Sequence, residues 1–345
     1  FFMKRLLPGL VLSMHLYATV PITAKRAVTD EYHGVRVEDE YRWMEDSGAA
    51  EVRAWTAAQN AFSRDWLEAR PERAQIESRL KALYAQDAPS YSGVVARGRR
   101  LFALKFQPPK QQRLLVTLDT ADDLSTERVV LDPNEIEPKG QVSMDWYVPS
   151  PDGAMVAVCL SHHGSEEGTL HFYATNTGRA FAETIARVQY PTGGGSVAWT
   201  PDGQGVFYTR YPRSGERSEA DLNFYQQIYF HRLGTSDQTD AYSAGSDFPR
   251  IAEIDLHASE DGRWILASVA NGDGGEFSHH VREVREGASW RQIAKHEDGI
   301  KQVIFSPDGS SLYLRSVKNA PRGKVLRMPV DRELADSEIV VPESV

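Results

Sequence analysis

One short pattern constrains this chain more than any other. The string "WTPDGQGVFYTRYP" (Trp199 to Pro212) reads as a strand end, a Pro-Asp-Gly turn and an alternating strand. Related strings recur as "YVPSPDGAMVAVCLS", "LHASEDGRWILASVA" and "VIFSPDGSSLYLRSV". The turn chemistry explains the wording. Proline presets φ at the second turn position, aspartate bonds its own backbone, and glycine accepts the positive φ of a tight hairpin. With Gly98, Gly153, Gly203, Gly262 and Gly309 as turn glycines, the steps are 55, 50, 59 and 47 residues. A period in that range with several strands per unit marks a β-propeller of four-stranded blades. About 255 residues follow Tyr91, room for about five blades at the observed spacing.

The repeat does not open the chain. Val52, Trp55, Gln59, Phe62 and Trp66 fall at steps of three and four, one stripe of a helix running to about Ala69. Asp46 or Ser47 is the expected N-cap. After Pro71, Ile76, Leu80 and Leu83 predict a second helix over roughly Glu72 to Tyr84. From Tyr91 the period changes from 3.6 to 2, as in "YSGVVARGRRLFALKF", and no further long helix is expected. The fold class is therefore mainly β: an incomplete propeller of four-stranded blades preceded by an N-terminal helical segment. The expected divisions are a leader over 1–27, the helical segment over 28–86 and the partial propeller over 87–345.

The leader reading rests on Lys4 and Arg5 before an apolar run from Leu6 to Val20, followed by the small residues Thr23 and Ala24. That is the layout of a secretory signal. The run is short and broken by Pro8, Gly9 and His15, which argues against a membrane span. The expectation is export to a periplasmic or extracellular space, or a cytoplasmic protein if the leader is not a signal. The chain carries 39 Lys and Arg against 48 Asp and Glu, a formal charge of −9. Without a basic face, a nucleic-acid partner is not expected. The one cysteine, Cys159, excludes an internal disulfide and CxxC sites and reads as a small buried hydrophobe.

Which propeller is a narrower question. No Trp-Asp pairs mark blade ends, and the Gly-Gly pairs lie out of phase, so the WD40 and kelch patterns do not fit. The aromatic–Ser/Thr–Pro–Asp–Gly string is similar to TolB-like propellers and to those attached to serine peptidases. The N-terminal segment decides between them. Tyr32-His33-Gly34, Asp39 with Tyr41-Arg42-Trp43, Glu45-Asp46 and Gln59-Asn60 resemble the opening of the prolyl oligopeptidase family. "RVVLDPN", "VAWTPDGQGVFYTRYP" and "QQIYFHRLGT" continue the likeness. It runs from about Val28 to the end. Glu40 and Met44 depart from the usual Pro and Leu.

The resemblance implies a serine endopeptidase that cleaves short peptides after proline, with no cofactor. The propeller would restrict access to a Ser-His-Asp triad in a following α/β-hydrolase domain. The helical segment would pack on that domain. The nucleophile of such a domain stands on a Gly-x-Ser-x-Gly elbow. The nearest strings here, at Gly194–Ala198, Gly234–Gln238 and Gly309–Tyr313, each lack the second glycine. No catalytic residue is therefore assigned, and the chain is expected to be an inactive, poorly soluble portion of a longer enzyme. Two alternatives remain: an oligopeptidase B-like enzyme cutting after basic residues, and a non-catalytic TolB-like propeller that binds proteins.

Other candidates read more simply as structure. Adjacent His162 and His163, and His279 and His280, would point to opposite faces of a strand and so do not suit a metal. Glu166 and Glu167 read as a solvated loop. Asp152, Asp202, Asp261 and Asp308 recur at the repeat spacing and read as turn residues rather than calcium ligands. Glu45 and Asp46 read as carboxylates before a helix. Tyr190 lies near where family propellers offer an aromatic to substrate, and reads equally as a strand-end aromatic.

Overall fold

The computed structural model describes residues 19–84, 88–137, 140–189 and 196–344. The chain divides into two compact units, Phe1–Gln86 and Asp87–Val345. Tyr190 lies outside the described residues.

In the first unit, β1 (Val28–Tyr32) pairs antiparallel with β2 (Val35–Asp39). A positive φ at His33 and Gly34 turns the hairpin. Helix α1 follows over Ala50–Glu68 and α2 over Arg73–Tyr84. The expected stripe is the covered side of α1: Val52 is buried, Trp55, Gln59 and Phe62 are half-buried, and Trp66 is 47% exposed. The expected cap is not made. The N-cap is Ala49, with no side-chain bond. Asp46 instead accepts the Gly48 N–H at 3.0 Å, because a short carboxylate reaches its own turn two residues on before it reaches a helix end.

The second unit contains five antiparallel four-stranded sheets, each in sequence order. Blade 1 is β3 (Ser90–Arg97), β4 (Arg100–Phe106), β5 (Leu114–Leu118) and β6 (Arg128–Leu131). Blade 2 is β7 (Val142–Pro149), β8 (Met155–His162), β9 (Thr169–Ala174) and β10 (Arg179–Ala186). Blade 3 is β11 (Val197–Trp199), β12 (Gly205–Arg210), β13 (Gln227–Arg232) and β14 (Ala241–Ala244). Blade 4 is β15 (Ala252–Ala258), β16 (Trp264–Asn271), β17 (Phe277–Glu283) and β18 (Arg291–Ala294). Blade 5 is β19 (Ile300–Phe305), β20 (Ser311–Ser316), β21 (Lys324–Pro329) and β22 (Glu338–Val341).

The core lies between the sheets. Successive residues of a strand face opposite sides, and here both sides are apolar. Tyr208 packs with Phe172 of blade 2, while its neighbour Phe207 packs with Ile254 and Ile265 of blade 4. Ile265 belongs to that same cluster, whereas Leu266 joins Ile300, Leu312 and Met328 of blade 5. Blades 2, 3 and 4 thus each supply part of two adjoining cores, which is what stacks the sheets in order.

Candidate functional site: the axial channel

The four Pro-Asp-Gly-type turns share one construction. The Ser150, Thr200, Ser259 and Ser306 hydroxyls donate to Asp152, Asp202, Asp261 and Asp308 at 2.7, 2.7, 2.6 and 2.6 Å. Each aspartate also accepts the backbone N–H two residues on, at 2.9 to 3.1 Å. Each hydroxyl in turn accepts the N–H five residues on, from Met155, Gly205, Trp264 and Ser311. In each turn one carboxylate oxygen thus takes both the hydroxyl and the backbone N–H. Those bonds, the hydroxyl first, hold Asp152 and Asp202 below the usual carboxylate range and take Asp308 to about 2.

The turns also meet one another. A Cβ on Gly98 would stand 2.5 Å from the Asp152 carbonyl oxygen, and one on Gly262 would stand 2.9 Å from the Pro201 ring. Glycine is thus required twice over at Gly262: for φ +69 and for the neighbouring blade's approach. These contacts gather the hairpins of successive blades at one end of the array.

Radial sheets place one edge strand of each blade at the axis. Here it is the first strand. Ser196, at the start of β11, accepts the Leu256 N–H at 2.7 Å and donates to the Ile254 carbonyl at 3.3 Å, both on β15. At the other edge of blade 5, every residue of β22 is exposed. A cavity of about 310 Å³ lies at the turn end, between β7, β11 and β15, and includes Arg97, Trp146, Trp199, His257 and Glu260. A second, of about 550 Å³, lies between β15 and β19. Glu253, Asp255 and His257 alternate along β15 and line its wall with Lys301. His257 bonds Asp255 at 2.7 Å, which raises the imidazole pKa. Arg97 of blade 1 and Glu260 of blade 4 approach to 4.0 Å across the first cavity.

One Ser–His pair lines the second cavity. His279 Nε2 stands 3.2 Å from the Ile300 carbonyl, which can only accept, so its Nδ1 accepts from Ser268 Oγ at 3.0 Å. Burial pushes the His279 pKa to about 4, too low for an effective general base at neutral pH. The third partner is a carbonyl rather than a carboxylate. The pair is a satisfied core histidine, not a relay.

The remaining candidates are also placed. His280 faces the other way, against Phe248, with Nε2 3.2 Å from Ser278 Oγ, and burial takes it to about 4 as well. The two histidines share no ligand position. His162 and His163 are exposed, with rings 6.3 Å apart, and Glu166 and Glu167 are exposed beside them. Cys159 is fully buried, donating to the Val188 carbonyl at 3.1 Å, and burial raises its pKa. Glu45 pairs with Arg42 at 3.1 Å. The serines at the centre of the elbow-like strings are placed as structure: Ser196 bridges blades, Ser236 accepts from Gln238, and Ser311 is buried at the start of β20 with its backbone N–H donating to Ser306 Oγ.

Five four-stranded sheets stacked in sequence order, with cavities between their first strands, define a β-propeller architecture. The chain matches the family described as "Prolyl oligopeptidase, N-terminal beta-propeller domain" over residues 21–345. It belongs to the prolyl oligopeptidase family. It is 28% identical over 319 residues to a prolyl endopeptidase of Elizabethkingia meningoseptica, covering 92% of this chain and 43% of the relative. It is 24% identical to prolyl oligopeptidase A of Amanita bisporigera, covering 90% and 43%. A solved structure from a study of two prolyl endopeptidases superposes with a TM-score of 0.81 at 27% identity, covering 94% of this chain and 47% of that one. The chain therefore spans less than half the length of these relatives.

Proposed function

We propose that this chain is the propeller-bearing portion of a serine endopeptidase that hydrolyses short peptides after proline, and that the propeller limits which peptides reach the catalytic groups. The observation that carries this reading is the family match over residues 21–345 together with relatives named prolyl endopeptidases. In the whole enzyme a serine attacks the scissile carbonyl, a histidine moves the proton and an aspartate orients the histidine. Those groups belong to the remainder of the protein. The first strands and their turns supply a restricted route, with Arg97 and Glu260 at one end of the channel.

The helical unit supports the same reading. Ile76, Leu80, Leu83 and Tyr84 of α2 are 57, 46, 57 and 78% exposed. An apolar helical face of this size calls for a covering surface, and the hydrolase domain of the same protein is the proposed one. Export through the N-terminal leader completes the reading. No helix among the described residues is long and apolar enough to cross a membrane.

The test is an assay of the 345-residue chain and of the complete gene product, each with proline-linked and arginine-linked chromogenic peptides. The expected result is turnover of the proline substrate by the complete product alone. Activity in the 345-residue chain refutes the division of labour. Preference for arginine identifies the basic-residue enzyme instead. No turnover of either substrate by the complete product leaves the protein-binding propeller.

A further inference from the structure

The residues that read as the end of a leader are built into the helical unit. Pro21 and Thr23 face inward and Ile22, between them, is 94% exposed, the alternation of an extended strand. Three side-chain N–H groups read this strand. Gln59 Nε2 donates to the Pro21 carbonyl at 3.0 Å, Trp55 Nε1 to Thr23 Oγ1 at 3.0 Å, and Trp43 Nε1 to the Ala24 carbonyl at 2.9 Å. The two indoles meet edge to face, 6.3 Å apart and 85° between planes. Beyond them the Arg26 N–H donates to the Glu40 carbonyl at 2.9 Å, extending the β1–β2 ladder. The Arg26 guanidinium pairs with Glu51 and lies 5.3 Å over the Trp43 ring.

Trp55 and Gln59 are the middle of the α1 stripe, so the strand covers the part of that stripe nearest Val52. Each such hydrogen bond makes a modest net contribution, so losing three together is a sizeable change for a small unit. Cleavage after Ala24 would remove the partners of Gln59, Trp55 and Trp43 together.

We propose that Pro21–Arg26 is a retained clasp of the helical unit, and that removal of the leader cuts the chain on the N-terminal side of Pro21. The cleavage position rests on the export reading; the clasp does not.

Two measurements test it on the complete protein. In the first, the gene product is expressed with its leader in an exporting bacterial host and its N-terminus sequenced. A start at Pro21 or earlier supports the proposal, and a start anywhere from Ile22 to Val28 overturns it. In the second, chains beginning at Pro21 and at Val28 are compared by limited proteolysis within α1 and by tryptophan emission. The Pro21 chain is expected to match the parent. The Val28 chain is expected to be cut about tenfold faster, since cleavage tracks the open population, with emission shifted to the red. Thr23→Val, which keeps the shape and removes one acceptor, is expected to lie between them. Equal protection and equal emission in the Val28 chain overturn the clasp. Unprocessed protein in the cytoplasm defeats the export reading and the cleavage position with it, while the second measurement still decides the clasp.

Discussion

The two units hold themselves together by different means. In the propeller the inner strands bury apolar residues on both faces, β5 and β12 being buried along their whole length, and Phe102, Phe172, Tyr208, Leu266 and Leu312 are wholly shielded. In the helical unit Val52 is the one hydrophobic side chain fully buried among the described residues, and α2 buries none. What secures that unit is polar: Arg42 bonded to both Asp30 and Asp39, Arg26 to Glu51, and two indoles and an amide to the clasp. Repetition accounts for the difference. A blade finds its apolar partner in the next copy of itself, whereas a lone helical hairpin in a small unit leaves much of its apolar face for something outside it.

The comparison breaks most visibly if core residues of the two units are truncated. Leu266 is 0% exposed between blades 4 and 5, and Leu80 on α2 is 46% exposed. Leu266→Ala is expected to destabilise the propeller by about 2–5 kcal/mol, transfer and cavity terms together. Leu80→Ala is expected to change the stability of the 345-residue chain by less than about 0.5 kcal/mol. Urea unfolding followed by the tryptophan fluorescence of both units measures both. Similar losses would mean that α2 has a covering surface within this chain.

Acid separates the units next. His279 and His280 are 0 and 9% exposed, and burial lowers both to about 4. The helical unit's described histidine, His33, is exposed. A lowered histidine binds its proton more readily in the unfolded chain. Its contribution is therefore complete above the unfolded value near 6.5 and is lost as pH falls from there toward 4. Asp247 near His280 opposes this loss, while His296 adds to it for both rings. The loss should approach about 3 kcal/mol per ring by pH 4. Asp308, lowered to about 2, acts below that window. Unfolding free energies at pH 7.5, 6 and 5 for the parent and His279→Gln test the point. A parent curve flat over that range would show that the rings titrate normally.

These features differ in how far the sequence discloses them. The period of the turn glycines carries the blade architecture because a propeller repeats its hairpin. The opposite facing of His279 and His280 follows from strand geometry, but their burial depends on Ile300 and Phe248, far away in sequence. The second demand on Gly262 is equally hidden, since it comes from Pro201 of another blade. The clasp is obscured for a different reason. Small residues after an apolar run suit a leader and an extended strand alike. The signal that could have separated them is a helix stripe carrying Trp55 and Gln59, whose N–H groups need acceptors from some neighbouring segment.

A smaller loss probes whether the repeated turns are interchangeable. Ser306 is 7% exposed and makes a closed set of bonds: its hydroxyl donates to Asp308 at 2.6 Å and accepts the Ser311 N–H at 3.0 Å. Ser306→Ala leaves the amide and one carboxylate lone pair to water, at an expected cost of about 1 kcal/mol. Thr200 makes the same bonds in blade 3, to Asp202 at 2.7 Å and from Gly205 at 3.1 Å. Thr200→Val, which keeps the branch and removes the hydroxyl, should cost the same within error. The two turns are separated by blade 4 and share no partner, so the double variant should equal the sum. Chemical denaturation of the two singles and the double measures this. A double loss clearly beyond the sum would mean that the turns act as one ring, with strain in one blade reaching another across blade 4. Additivity would fix the turn as a local device, written once per blade for the same reason each time.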